Sequence, residues 1–496
     1  MEALRVADVA AFRKALNTLG PGVSVILEDG EYDTGDLNLV GIRGSDREPI
    51  CIKARNIGKV TLKGGDGGDF KLKDASHITL SGIHFEEMGL SILDSDSIRI
   101  SRSTFENSTD GLHWIDFKGS TEGRVDHCEF GYRETKGSYV SVRRPSRRVR
   151  IDHNHFHDRP CLNRNGGETI SLHGAHGHRW DIEATVEHNL FERCDGENEL
   201  ICVKSHQNIF RYNTFVDCVG YISIRGGDYN KVYDNYFFNF NDVNRSEMPG
   251  AVRTQGFHNK VSNNYMYGMS ACVLAVVGDD VVPYISPEDR EAWWKDHTDD
   301  DSYSLGIHEV AYRVAQKTNV FHNTMIGCRD LFHWTWKGLK EDQPPQKAPF
   351  VAGRKPEYPP SSWIVANNLA VDIDTFVGEK ISRIQGKDPS PGFERDFCWI
   401  GNVLAGDTDG FGQGRNLADH EFRVQDVHLR SLDERGMYKV LTATEARTDY
   451  PRDPGEYETH DLEKLHPDHP QVGCKLGSPP LTPVDVGLHA NIENEG

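Results

Sequence analysis

Ala184-Thr185-Val186-Glu187-His188-Asn189-Leu190-Phe191 is one copy of a short pattern that recurs along this chain of 496 residues. Each copy alternates β-branched or apolar residues with polar ones and ends in Asn-x-Phe or a close variant. Phe191 lies 24 residues before Phe215, which lies 22 residues before Phe237. The clearest other copies are Ile98–Phe105, Val149–Phe156, Ile209–Phe215, Val232–Phe237 and Val261–Met266, and weaker copies end at Met325, Ala370 and Leu404.

This period indicates a solenoid, in which each repeat forms one coil. No helical pattern separates the strand-like segments, so the sequence predicts an all-β fold, a right-handed parallel β-helix. Stacked amides can hydrogen-bond from coil to coil, and the recurrent phenylalanines would stack inside the coils. We therefore predict a structural role for the repeated asparagines, which are Asn154, Asn189, Asn213, Asn235 and Asn264.

The two ends of the solenoid are predicted to differ. Residues 6–19 carry apolar side chains at helical spacing, and Gly20-Pro21 would end the helix. Within residues 1–20 we expect an N-terminal capping helix that covers the exposed β edge. The predicted domains are a solenoid over 1–415 and an irregular C-terminal segment, 416–496, packed on it. The stretches 279–304 and 341–360 break the repeat and read as inserted loops that wall a binding face.

Composition excludes some classes of function. The formal net charge of -20 argues against a nucleic-acid-binding protein, which needs a basic surface. No apolar run reaches the ~20 residues of a membrane span, so no membrane partner is expected. The ten cysteines are scattered and predict buried thiols rather than disulfides or a cysteine zinc site. Oligomeric state is not indicated.

Two glutamates stand out in the segment that follows Phe191. In a β-strand, side chains alternate between faces, so Glu197 and Glu199 would point the same way. Crowded carboxylates repel each other unless a cation lies between them, and Ca²⁺ is the natural candidate for oxygen ligands. Lys204, five residues further on, suggests chemistry on an anionic substrate. The alternative reading is a solvated salt-bridge patch.

Residues on neighbouring coils extend this group. Arg225 follows Lys204 by 21 residues, which is close to one coil, and Asn165 precedes Glu197 by 32 residues, one coil with a loop included. Residues one coil apart stack at roughly 4.8 Å. One face of the solenoid could therefore hold Asn165, Glu197, Glu199, Lys204 and Arg225 together.

These motifs resemble polysaccharide lyase family 6, which includes alginate lyases and the chondroitinase B type of dermatan sulfate lyase. The resemblance covers nearly the whole chain and is densest from 150 to 267. It rests on Asn165-Gly166-Gly167-Glu168-Thr169, Asn189-Leu190-Phe191-Glu192, Cys194-Asp195-Gly196-Glu197-x-Glu199, Lys204-Ser205, Arg225-x-Gly227, Gly250-Ala251-Val252-Arg253 and Asn263-Asn264-Tyr265.

The resemblance implies calcium-assisted β-elimination on a uronate polysaccharide. Asn165, Glu197 and Glu199 would bind Ca²⁺, and Lys204 would remove the C5 proton with a pKa lowered toward neutrality. Arg225 would be the acid or electrophilic partner at the glycosidic oxygen, although a guanidinium hardly gives up its proton. The expected substrate contacts are Arg253, His258 and Tyr229.

Two departures from the family pattern bear on the choice of substrate. Gly226 stands where the family commonly has histidine, and Ser171 and His173 occupy a strand that often carries arginine. Alginate is the expected partner and dermatan sulfate the alternative, for which only the arginines of 143–148 form an obvious basic cluster. Mannuronate or guluronate preference and endo or exo action stay open.

Two other classes of function and a zinc site fit these residues less well. A glycoside hydrolase needs two separated carboxylates, and Glu197 and Glu199 are too close in sequence. A non-catalytic carbohydrate-binding solenoid would not need Lys204. His173, His176 and His178 could bind zinc, but solvated loop histidines are the commoner case. Such a lyase is expected in the periplasm or the medium of a bacterium. The first residues do not resemble a signal peptide, and a cytoplasmic location stays open.

Overall fold

The solenoid is built from coils of three short parallel strands, which form three long sheets. The computed structural model describes residues 2–106, 109–173, 180–240, 249–277, 315–336, 363–380 and 398–406, and short segments between 422 and 490. This is the predicted parallel β-helix. The predicted insertions 279–304 and 341–360, and most of 416–496, lie outside the described residues.

The first sheet has 14 strands, one from each successive coil. In order these are Glu2–Val6, Val23–Leu27, Ile50–Ala54, Ser76–Ser81, Asp96–Ser101, Arg124–Asp126, Arg150–Asp152, Thr185–Glu187, Ile209–Arg211, Lys231–Tyr233, Lys260–Ser262, Asn319–Phe321, Ile364–Ala366 and Cys398–Ile400.

The second and third sheets are joined because two long strands, Val60–Lys73 and Ile83–Leu93, run through both. The second sheet adds Gly30–Asp33, Thr104–Glu106, Glu129–Phe130, His155–Arg159, Leu190–Cys194, Thr214–Val216, Tyr236–Phe238, Tyr265–Tyr267, Thr324–Ile326, Leu369–Val371, Asn402–Ala405 and Phe422–Val424. The third adds Leu37–Val40, Ile115–Lys118, Val140–Arg143, Ile170–His173, Ile201–Lys204, Gly220–Ile224, Pro249–Thr254, Ala271–Val277, Asp330–Trp336 and Thr375–Lys380.

Two small pairings stand apart from the three sheets. Gly256–Phe257 pairs with Ala315–Gln316 in parallel. Leu429–Ser431 pairs with Tyr438–Val440 in antiparallel fashion.

The N-terminal helix is shorter than predicted. It spans Val9–Leu16, because Glu2–Val6 instead pairs with Val23–Leu27 as the terminal strand of the first sheet. Asp8 caps the helix by accepting the backbone N–H of Ala11 at 2.7 Å. Phe12 is fully buried, edge-on to Tyr32, so the helix covers the first coil.

The interior follows the predicted periodicity. In the second sheet one phenylalanine per coil stacks on the next at centroid distances of 4.6–5.2 Å. This column consists of Phe85, Phe105, Phe130, Phe156, Phe191, Phe215 and Phe237, and Met266 and Met325 continue its register.

The predicted asparagine ladder turns the chain from the first sheet to the second. Asn213 is typical: its side-chain oxygen accepts the backbone N–H of Asn189 at 3.1 Å, and its amide donates to Asn235 at 3.0 Å. The residue before each ladder asparagine has a positive φ, for example 53° at His188, which produces the sharp turn. The five predicted asparagines are confirmed as structural, and Asn323, Asn368 and Asn402 extend the ladder.

A second ladder, which the sequence reasoning missed, lies between the third sheet and the first. Asn208, Asn230 and Asn259 bond in the same way from coil to coil. Serines replace asparagine in earlier coils, where Ser120 Oγ accepts the Ser95 N–H and Ser146 Oγ accepts the Ser120 N–H. That change of residue type hides the repeat in the sequence.

The C-terminal residues that are described run back along the outside of the solenoid. Gly473 N–H donates to Asn367 O, Leu481 N–H to Thr214 Oγ1, and Gly487 N–H to His153 O, at 2.8–2.9 Å. The division at residue 415 stays a prediction. Among the described residues, no helix is long and apolar enough to cross a membrane.

Candidate active site

The outer face of the third sheet carries the predicted catalytic residues. Ile201 and Val203 point into the core, so Cys202 and Lys204 lie on the opposite face. Lys204 is paired with His173 on the preceding strand. The Arg225 N–H donates to Val203 O at 2.7 Å, which keeps Arg225 in register beside Lys204. The structure therefore brings Lys204 and Arg225 together on adjacent coils, as the spacing predicts.

The two glutamates do not lie on a strand. They occupy the loop between Leu190–Cys194 and Ile201–Lys204, so strand alternation was the wrong reason to group them. Glu197 Oε2 accepts the backbone N–H groups of Gly166 and Gly167 at 2.7 and 3.0 Å. A Cβ on Gly167 would clash with the carbonyl of Gly196, so glycine is needed where these two loops stack.

Three carboxylates converge at this loop. Oxygens of Glu168, Glu197 and Glu199 lie within 4.8 Å of one another. Glu168 belongs to the quoted Asn165–Thr169 motif, but the sequence reasoning gave it no role. Asn165 is exposed in the same loop, directly before the Gly166 amide that binds Glu197. Two of the predicted ligands, Glu197 and Glu199, thus lie around one point with Glu168 as an added carboxylate, and the part of Asn165 stays a prediction.

Glu199 is held in its charged form by two arginines. Arg253 Nη1 lies 2.9 Å from Glu199 Oε1, and Arg225 Nη1 lies 3.4 Å from the same oxygen, so Arg253 makes the closer ion pair. The thiol of Cys202 donates to Glu199 Oε2 at 3.0 Å. Burial raises the pKa of Glu199, but Arg253 and Arg225 outweigh it and hold that pKa at about 2.

The other two carboxylates are less well compensated. Burial and the charge of Glu197 raise the pKa of Glu168 to about 7. Burial also raises the pKa of Glu197, against the lowering effect of the two backbone amides. Crowded carboxylates of this kind fit the donor set that a hard divalent cation takes. Asn165 could add an amide oxygen.

Lys204 differs from the expectation. Its pKa is raised, first by the charge that Cys202 carries when its thiol ionises and then by Glu199 and Glu168, whereas burial and Arg225 lower it. The predicted lowering of this pKa is therefore not found in the chain alone. The reason is local: negative charge on Cys202, when it ionises, and on the nearby carboxylates of Glu199 and Glu168 favours the charged form of the lysine.

The expected substrate contacts are distributed over two places. Arg253 is only 9% exposed and forms an ion pair with Glu199. Tyr229 and His258 stack at 4.9 Å on the turns that follow the Arg225 and Arg253 strands, and Tyr229 is 56% exposed. Both residues have a positive φ, 57° and 58°, and lie in the turns between the third sheet and the first. Their role in binding stays a prediction.

The basic run 143–148 is largely paired with acids. Arg143 binds Asp116 through Nε at 2.8 Å and through a second bond from Nη2. Arg147 lies 3.5 Å from Glu183, and Arg148 contacts both Glu122 and Glu183. This run is thus a set of local ion pairs.

The family model of chondroitinase B matches residues 6–94 and 96–274, more than half of the chain. These residues contain the Phe column, the carboxylates, Lys204 and Arg225. The chain belongs to the chondroitinase B family. That membership places it among the polysaccharide lyases of family 6.

Solved structures share the fold of this chondroitinase B family member. The family 6 alginate lyase AlyGC is 21% identical with a TM-score of 0.67, covering 98% of this chain and 58% of that one. A mannuronic acid specific family 6 lyase from human gut microbiota is 21% identical with a TM-score of 0.65, covering 86% and 91%. A family 6 alginate lyase in complex with a trisaccharide is 16% identical with a TM-score of 0.60, covering 96% of each chain.

The chain spans less than two thirds of the length of AlyGC. No curated protein matches the sequence.

Proposed function

We propose that this chain cleaves alginate by calcium-assisted β-elimination. The observation that carries the proposal is the register of Lys204 and Arg225 beside the carboxylates of Glu168, Glu197 and Glu199. A cation-rich strand face next to a carboxylate cluster suits a uronate substrate, whose acidity at C5 must be increased before a base can act.

Lys204 is the proposed base. It lies on a rigid strand, half-buried and flanked by His173 and Arg225. Its amine would take the C5 proton of the uronate, and the bond from C4 to the glycosidic oxygen would then break, leaving an unsaturated sugar at the new chain end. The departing oxygen would take a proton from water. Because the lysine must be neutral to act, the carboxylates that raise its pKa oppose catalysis until their charge is compensated.

Arg225 is the proposed electrophilic partner. Its guanidinium is held near Glu199 at 3.4 Å and is 23% exposed, so it can face substrate. A guanidinium keeps its proton at any working pH. Arg225 would therefore stabilise negative charge on the departing oxygen rather than donate a proton to it.

Asn165, Glu197 and Glu199 are the proposed calcium ligands, and Glu168 is close enough to join them. When bound, calcium would neutralise the substrate carboxylate and stabilise the enolate-like charge that forms at the C5 position. Gly166 and Gly167 fix one oxygen of Glu197, and Arg253 orients Glu199. The chain thus presents both carboxylates without large rearrangement.

Alginate is favoured over dermatan sulfate by the neighbours of Lys204. Among the residues beside Lys204, Ser171 and Ser223 are uncharged, and burial lowers the pKa of His173 to about 3, so it is neutral. Arg225 is positively charged but is paired with Glu199. A sulfate group would need free basic partners. Two solved relatives in fold are named as alginate lyases, which agrees with this choice.

The decisive experiment follows new ultraviolet absorbance from unsaturated ends on poly-mannuronate, poly-guluronate and dermatan sulfate. We expect cleavage of at least one alginate polymer, loss of activity in Lys204→Ala, and loss in chelator with recovery on adding Ca²⁺. Product without new absorbance would indicate a hydrolase. Binding of alginate without cleavage would indicate a non-catalytic solenoid, and faster cleavage of dermatan sulfate would overturn the substrate assignment.

A further inference from the structure

A second cluster of possible metal ligands lies beside the carboxylates, on the face of the third sheet. Ligand atoms of Glu168, His173 and Cys202 lie within 4.8 Å of one another. His173 and Cys202 come from paired strands, Ile170–His173 and Ile201–Lys204, whose register is fixed by backbone pairing. Glu168 comes from the loop that leads into the first of these strands. Two of the three groups therefore stand on rigid elements.

The donor atoms differ from those of the carboxylate cluster. Sulfur, imidazole nitrogen and one carboxylate oxygen form a set that Zn²⁺ takes and Ca²⁺ does not, because Ca²⁺ prefers oxygen alone. His173 Nε2 is buried and has no hydrogen-bond partner within the described part of the chain. A buried, unpartnered imidazole nitrogen is a group that a ligand would satisfy.

We propose that Glu168, His173 and Cys202 form a second cation site that binds Zn²⁺ or a similar thiophilic divalent ion and so inhibits the lyase reaction. The inhibition, but not the binding, rests on the function proposed above. On binding, the S–H bond of Cys202 breaks, its proton leaves to solvent, and the sulfur electron pair forms the bond to the metal. The thiolate, the Glu168 carboxylate and the dication then sum to zero charge, which suits a buried place.

Two features oppose tight binding. The Cys202 thiol donates to Glu199 at 3.0 Å, and this bond is lost when its proton leaves. Burial raises the pKa of the same thiol. The affinity is therefore expected to be lower than that of a structural zinc site with preformed thiolates.

Inhibition follows from the position of the cluster. Glu168 is shared with the carboxylate cluster, so a metal that takes it weakens the other site. His173 is paired with Lys204, and Cys202 lies two residues before Lys204 on the same strand. A metal ion bound at this point would obstruct the approach of a uronate to the Lys204 amine.

Cobalt(II) is a suitable probe, because thiolate-to-cobalt charge transfer absorbs in the near ultraviolet. We expect the chelator-treated full chain to develop this band on titration with CoCl₂ without calcium. Cys202→Ser should lose the band. His173→Gln removes a direct ligand and should weaken binding by at least the roughly 10-fold that loss of an outer-shell partner costs. Cys161→Ser, which removes an exposed thiol outside the cluster, should keep it. A full band in Cys202→Ser, or its loss in Cys161→Ser, would overturn the site.

Zinc inhibition of alginate cleavage is the second test of the proposed site. We expect the zinc concentration for half-inhibition to be about tenfold higher, or more, in His173→Gln than in the parent chain. Inhibition of each protein is measured against its own zinc-free rate. Equal zinc sensitivity in the variant and the parent chain would refute the inhibitory role. If the chain cleaves no polysaccharide, the proposed lyase function fails, while the cobalt titration still decides the site.

Discussion

Glu199 is a buried carboxylate that stays charged because Arg253 and Arg225 surround it. Both Arg253 and Glu199 expose only 10% of their side chains, so water screens the pair little. Breaking a buried pair by removing one partner leaves an uncompensated charge. Arg253, which the sequence suggested as a substrate contact, is therefore first of all the residue that positions Glu199.

We predict that Arg253→Gln lowers the free energy of unfolding by about 3 kcal/mol and also reduces lyase activity. Urea denaturation measures the first effect and initial rates the second. Because the loss comes from a buried Glu199 that keeps only the longer contact with Arg225 as an ion pair, the double variant Arg253→Gln/Glu199→Gln should regain much of the stability but none of the activity. A double variant as unstable as the single one would contradict this explanation.

His188 belongs to a stack of rings in the turns between the first sheet and the second. It lies between His153 and Tyr212, with ring centroids 5.0 and 4.9 Å apart. Burial and then the neighbouring His153 lower the pKa of His188 from 6.5 to about 4, although Glu187 and Asp152 oppose this. Over that interval the unfolded chain binds a proton that the folded chain does not. Folding is therefore penalised as the pH falls from 6.5 toward 4.

We predict that the melting temperature falls as the pH is lowered through this window, and that His188→Gln makes the fall less steep. Melting curves at several pH values, at constant ionic strength, provide the measurement. His258→Gln, in the turns between the third sheet and the first, is the comparison: burial also lowers the pKa of that ring, but the ring is less buried, so the slope should change less than in His188→Gln. An unchanged slope in His188→Gln would rule out this residue as a source of the acid sensitivity.

The asparagine ladder shows how one residue type stabilises a whole column of turns. Asn213 accepts from the N–H and the side chain of Asn189, and donates to Val186 O, Arg211 O and Asn235. These groups are buried, so a missing partner leaves polar atoms without water. The ladder was predictable because Asn recurs at one place in each coil.

We predict that Asn213→Ala lowers the free energy of unfolding by roughly 3 kcal/mol, since several buried groups lose their partner. Asn38→Ala, at an exposed strand position, is the control and should change it little. Chemical denaturation of both variants gives the comparison. Equal effects of the two substitutions would mean that the ladder bonds add no net stability.

The C-terminal strap, defined as residues 473–474, 478–488 and 490, connects coils that are far apart along the solenoid. Cys474 N–H donates to Thr324 Oγ1 at 2.9 Å, Tyr236 OH donates to Ser478 O, and Arg102 Nη1 donates to Leu488 O at 3.0 Å. In a solenoid each coil otherwise contacts only its neighbours. The strap therefore couples early coils to late ones.

We predict that a chain ending at residue 472 melts at a lower temperature, in a broader transition, than one ending at residue 490. The physical reason is that the shorter chain loses the bonds that join distant coils, so the coils unfold less cooperatively. Calorimetry measures both features. Hydrogen exchange around Arg102 and His153 should also speed up, and unchanged exchange there would contradict a coupling role.

Much of this protein was predictable from its sequence, because a β-helix repeats one local pattern. The Phe column, the first asparagine ladder and the register of Lys204 with Arg225 all follow from residues one coil apart. The serine–asparagine ladder was missed, since its residue type changes along the chain. The helix was predicted too long because the pairing of Glu2–Val6 depends on a partner strand that local spacing does not reveal.

The carboxylate cluster was decided by tertiary structure. Glu197 and Glu199 lie in a loop, where alternation gives no direction, and their contacts join residues 31 and 54 positions apart through the Gly166 amide and Arg253. Glu168 joins the cluster for the same reason, because it also lies in a loop. Periodicity along the chain specifies what repeats in each coil, but packing of unlike loops sets the charge on each carboxylate and the raised pKa of Lys204.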